Sequence, residues 1–78
     1  MKNAWDYITV DREVCHGKPC FKGTRIMASV VLELLEAGET VEQILDAYPG
    51  LTPPHIQAAL HVASELLQHE QFLAFPAA

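Results

Sequence analysis

Beyond Arg25 the sequence has no lysine and no arginine. All five cations, Lys2, Arg12, Lys18, Lys22 and Arg25, stand in residues 1–25 beside only three acids, Asp6, Asp11 and Glu13, a net +2. Residues 26–78 carry Glu33, Glu36, Glu39, Glu42, Asp46, Glu65 and Glu70, a net −7 within the chain's total of −5. A surface that neutralises few phosphates lacks the electrostatic term that dominates nucleic-acid affinity. The acidic part is therefore a poor candidate for an ordinary DNA-reading surface. Solubility explains any single glutamate, but a cation-free stretch of 53 residues suggests two surfaces with different partners.

Other scarcities narrow the chemistry. No apolar run approaches the ~20 residues of a membrane span, and Met1-Lys2-Asn3-Ala4-Trp5-Asp6 lacks the apolar core of a signal peptide. A cytoplasmic protein without a membrane partner is expected. The two cysteines, Cys15 and Cys20, are expected as partly buried thiols, since a reducing compartment disfavours a structural disulfide. Their spacing, with His16, His55, His61 and His69, lacks the paired knuckles of a zinc module, so no metal or cofactor is expected. Gly17-Lys18-Pro19-Cys20-Phe21-Lys22-Gly23-Thr24-Arg25 has the residue types of a phosphate loop in the wrong order, because Lys22 precedes Gly23 and no βαβ unit follows. At ~100° per residue His55, His61 and His69 do not share one helix face, and nothing places a cysteine near them. Without a catalytic constellation the chain is expected not to be an enzyme.

What is present is half apolar and 78 residues long, enough for one marginal domain that self-association would help. A mainly α fold is expected: a basic β-arm or hairpin over 1–26, a three-helix, helix-turn-helix-like bundle over 27–70, and an apolar tail over 71–78. Tyr7-Ile8-Thr9-Val10 is β-branched and aromatic. Cys20-Phe21-Lys22 can return beside it after the Gly17-Lys18-Pro19 turn. Such a hairpin is too small to stand alone. Met27, Val30, Val31, Leu34 and Leu35 mark a helix over 27–37, which Gly38 stops. Thr40-Val41-Glu42-Gln43 has capping-box spacing and opens a helix over 41–48, with Val41, Ile44, Leu45 and Tyr48 inward. After Pro49-Gly50, Thr52 caps and Pro53 opens a third helix over 53–70. Its expected inner stripe is Ile56, Ala59, Leu60, Ala63, Leu66 and Leu67. A short helix, a turn and a longer helix read as helix-turn-helix.

Leu32, Ala58 and Val62 fall off these stripes. With the tail they exceed what one small core uses, so Leu32, Val62, Phe72, Leu73 and Phe75 are candidate interface residues of a homodimer or a partner complex. For the phenylalanines, a tail folded over its own core is the equal alternative. Lys18, Lys22, Thr24 and Arg25 form a stiff basic loop suited to phosphate contacts, and Gln57, early in the third helix, suits adenine. Alternatively Arg25 is structural, forking onto Glu33, Asp46 or helix carbonyls, and the lysines are solvated.

Ile8-Thr9-Val10-Asp11, the run from Cys15-His16-Gly17-Lys18-Pro19-Cys20 through Phe21-Lys22-Gly23-Thr24-Arg25-Ile26, Gly38-Glu39-Thr40-Val41-Glu42-Gln43-Ile44-Leu45 and Tyr48-Pro49-Gly50-Leu51-Thr52 resemble the family called domain of unknown function 433, over about residues 5–68. The resemblance implies a homeodomain-like or winged-helix-like helical fold. It also implies, as for many members, an antitoxin encoded beside a ribonuclease toxin of the PIN type. Such a regulator silences its toxin and binds DNA to repress its own promoter. A protein-interaction or dimerisation module without DNA binding is the alternative. His16 stands where the family often has a second glycine, and Met27-Ala28 where it usually has proline-valine.

Overall fold

The computed structural model describes residues 3–69. The chain enters through a 3₁₀ turn, Ala4–Asp6, capped by Asn3, whose Oδ1 accepts the Trp5 amide at 2.9 Å. Two short strands, β1 (Ile8–Thr9) and β2 (Cys20–Phe21), pair antiparallel with Ile8 opposite Phe21 and Thr9 opposite Cys20. Cys20 also bridges Met27. Three helices follow: α1 (Ala28–Glu36), α2 (Val41–Ala47) and α3 (Pro53–His69). The expected order of a hairpin and then three helices is the observed one.

Local signals end and start the helices where the sequence places them. Gly38, at φ 92°, closes α1: its amide donates to the Leu35 carbonyl and the Glu39 amide to the Leu34 carbonyl, both at 3.0 Å. At α2 the Gln43 amide donates to Thr40 Oγ1 (3.1 Å) and the Thr40 amide to Gln43 Oε1 (2.8 Å), a complete capping box.

The Ala4–Asp6 turn, both strands and all three helices contribute to the core. Phe21, Ile8, Ile44 and Val31 are fully buried, joined by Leu51, Ile56, Ala28, Ala59 and Ala4. Two of its largest members thus come from the hairpin. At ~1.5–3 kcal/mol for each large side chain fully buried, Phe21 and Ile8 attach to the helices an arm that two-residue strands could not sustain.

The third helix departs from its expected stripe. Leu60, Leu66 and Leu67 are 48%, 54% and 65% exposed, whereas Ala58 and Val62, expected off the stripe, are buried. The reason is that α3 packs on the Ala4–Asp6 turn and β1 as well as on α1 and α2. Its buried arc is therefore turned toward the arm, where small side chains allow close approach. Val41, expected inward, is exposed at the first position of α2. Phe72, Leu73 and Phe75 lie outside the described residues, as does the expected last residue of α3.

Replacing Phe21 with alanine should cost about 3–5 kcal/mol, a large share of what holds a domain of this size. Urea unfolding followed by circular dichroism should show the cooperative transition shifted to far lower denaturant or lost.

Candidate binding surfaces

The basic residues sit on two tight turns of the arm. The first begins at Asp11, whose Oδ1 accepts the Glu13 amide at 2.8 Å. Cys15, His16 and Gly17 then all take positive φ, at 52°, 57° and 79°, which makes a left-handed turn. That region costs a non-glycine residue about 1–2 kcal/mol, so other contacts must hold it. The Gly17 amide donates to the Asp11 and Val14 carbonyls (3.1 and 3.2 Å) and the Lys18 amide to the Cys15 carbonyl (3.0 Å). The Cys15 thiol donates to the Arg25 carbonyl at 3.2 Å, which ties this turn to the next.

The second turn runs from Phe21 to Thr24 with Gly23 at φ 77°. Thr24 Oγ1 donates to the Phe21 carbonyl (2.8 Å) and accepts the Ile26 amide (3.0 Å), so its proton is used inside the turn. The Cys20 thiol donates to the Thr24 carbonyl at 3.4 Å. Burial pushes that thiol up to about 11; a hydrogen bond with Cys15 and the charges of Cys15 and Asp11 add to the rise, and the Arg25 guanidinium opposes it. Cys20 is thus a protonated thiol at neutral pH.

Lys18, Lys22 and Arg25 are exposed around these turns. Among the described residues Arg25 forms no ion pair, so the expected fork onto Glu33 or Asp46 is not made. What the fold uses of Arg25 is its carbonyl. Thr24 and Arg25 share a shallow hollow of about 360 Å³ with Thr9, Val14 and Gly23. Lys18 borders a different one, and Gln57 is exposed on α3.

That other hollow is an apolar groove of about 220 Å³ between α1 and α3, with Ala28, Leu32, Ala59 and Ala63 among its walls and Lys18 at its edge. It adjoins a hollow of about 300 Å³ bordered by Trp5, Val10, Glu65 and His69, and the two share Pro19, Val62 and Leu66. Leu32 and Val62 therefore line one surface. Leu32 is half-buried, while Val62 is buried and belongs to the core as well. Trp5 and Val10, which sequence patterning did not single out, are 46% and 53% exposed beside it.

The three histidines of α3 have two different surroundings. His55, expected at the solvated surface, is half-buried. Its Nδ1 accepts the Thr52 amide at 3.0 Å and lies 2.8 Å from Thr52 Oγ1. Its ring meets Tyr7 and Phe21 edge-on, with centroids 5.0 and 5.6 Å apart. It takes the part that glutamate has in a capping box and at the same time packs on the arm. The signal was legible, since Thr52 is followed at the third helical position by a side chain with an acceptor. His61 and His69 each lie 3.2 Å from an oxygen of Glu65, so these two share a face while His55 lies apart from them, and the three together do not. Their eight-residue separation leaves them only ~80° apart around the helix. Among the described residues no group of three or more His, Cys, Asp or Glu is placed to hold a metal ion. No described helix is long and apolar enough to cross a membrane.

The span from β1 to Ala63, with both turns and the Thr40 cap, matches over residues 8–63 the model of a family described as protein of unknown function, DUF433. The chain belongs to the DUF433 family. No curated protein and no solved structure matches it. Trp5, Glu65, Leu66 and His69, which border the second hollow, lie outside the matched residues. His16, where the resemblance implies a glycine, holds a φ of 57° that glycine adopts without steric cost.

Replacing His16 with glycine should therefore raise stability by about 1 kcal/mol and the melting temperature by about 4–8 °C in a calorimetric scan. Replacing His55 with alanine should cost about 2 kcal/mol, and glutamate at the same position should recover about 1 kcal/mol, the cap without the aromatic contacts.

Proposed function

We propose that this chain is a non-catalytic regulatory binding protein, the antitoxin-like partner that silences a ribonuclease toxin of the PIN type. The observation that carries this reading is the apolar groove between α1 and α3, continued past Pro19 to Trp5 and Val10. A contiguous apolar groove open at the surface offers a partner a place to dock, and the cation-free acidic helices around it suit a basic, RNA-cutting partner. The chain acts as a homodimer, which also answers the stability problem of a small core.

A second activity, DNA binding through the arm, is favoured by a separate observation. Lys18, Lys22 and Arg25 are exposed around two hydrogen-bonded turns, and Arg25 is free of acids among the described residues. A stiff support presents charge to phosphates with little ordering cost. Thr24 serves here by shaping the turn. Gln57 is exposed on α3 and suits a base contact, without a flanking cation. A module without DNA binding is the rival reading.

Co-expression with the nuclease encoded beside this gene should yield a complex that purifies intact. Replacing Leu66 with lysine should weaken that complex at least about tenfold, the effect of losing one central apolar anchor. Absence of a complex with the unaltered chain would remove the antitoxin reading. In mobility shifts on the upstream promoter, alanine at Lys18 and Lys22 should lower the salt slope by about 2. If the unaltered chain with its partner gives no shift at low salt, the module without DNA binding stands.

A further inference from the structure

The two thiols of the arm face the same short segment from opposite turns. Cys15 donates to the carbonyl of Arg25 and Cys20 to the carbonyl of Thr24, adjacent residues, at 3.2 and 3.4 Å. Cys15 holds a left-handed backbone conformation while its thiol reaches the Arg25 carbonyl. Access to the pair is unequal, for Cys15 is half-buried and Cys20 only 1% exposed.

We infer that Cys15 and Cys20 form an oxidative modification site, at which a low-molecular-weight disulfide converts the two thiols into one intramolecular disulfide. The accessible Cys15 reacts first. Its thiolate attacks one sulfur of the small disulfide, the S–S bond breaks, one small thiol leaves, and a mixed disulfide remains on Cys15. The Cys20 thiolate then attacks Cys15 Sγ and releases the second small thiol. Two protein thiols are oxidised, one small disulfide is reduced, and the two protein protons end on the two thiols released. The new bond spans Lys18-Pro19 and fixes that segment against the Arg25 turn. The inference does not depend on the arm touching nucleic acid.

The second step depends on pH. Cys20 is pushed up to about 11 by burial, and the groups acting on it are Cys15, Asp11 and Arg25. Its thiolate is scarce at neutral pH, so closure should quicken about tenfold per pH unit below that value.

The test is to incubate the full chain with glutathione disulfide and follow intact mass, with thiols counted after denaturation. The unaltered chain should lose both thiols, become lighter by two hydrogens and stay monomeric on a non-reducing gel. Cys20→Ser should instead accumulate a glutathione adduct on Cys15, about tenfold above the unaltered chain. Cys15→Ser keeps the inference testable if the buried serine prevents folding: its Cys20 should resist the reagent in the folded chain and react in denaturant. A stable adduct on Cys15 of the unaltered chain with Cys20 still free would overturn the inference, as would disulfides that only join two chains.

Discussion

Phe21 joins the two halves of this fold, and the rest of the structure depends on how that one residue is held. Its side chain is fully buried, its amide donates to the Ile26 carbonyl at 2.9 Å, and its own carbonyl accepts both the amide and the hydroxyl of Thr24. Its ring also meets His55, which in turn caps the start of α3. Two paired residues per strand give too few hydrogen bonds to order a hairpin. Burial supplies what the ladder lacks. Because the same ring is packed against the α3 cap, the arm's turns and the third helix are positioned together.

The helical half was legible because its signals are local. Gly38 closes α1 and Thr40 with Gln43 opens α2 through contacts only a few residues apart, and such motifs survive any tertiary arrangement. The rotation of α3 was not legible. Leu60, Leu66 and Leu67 follow helical spacing as well as Ile56 and Ala59 do, and periodicity alone cannot tell which of two apolar arcs faces inward. What decides is the Ala4–Asp6 turn, more than fifty residues away in sequence, which packs on α3 and shares the core with Ala58 and Val62 through Ala4.

The candidate surfaces divide in the same way. The cations could be read from composition, but not the manner in which their backbone is held. The thiol of Cys15 reaching the carbonyl of Arg25 is a contact between turns, invisible in either segment alone. The left-handed geometry at His16 was foreshadowed only by the glycine that the family resemblance implies there. Leu32 and Val62 do border one groove, yet their neighbours Trp5 and Val10 come from the arm and join them only through the fold.

Lys18 and Pro19 are neighbours in sequence but look two ways. Pro19 borders both halves of the apolar groove, while Lys18 stands at its edge and belongs to the basic arm. A molecule seated in the groove therefore bears on the backbone that carries one of the cations. If such an occupant changes how tightly an anion is held by the arm, the anion must change the grip on the occupant by the same factor, because linkage between two equilibria is reciprocal. Two ligands meeting at a single dipeptide can regulate one another without any motion of the helices.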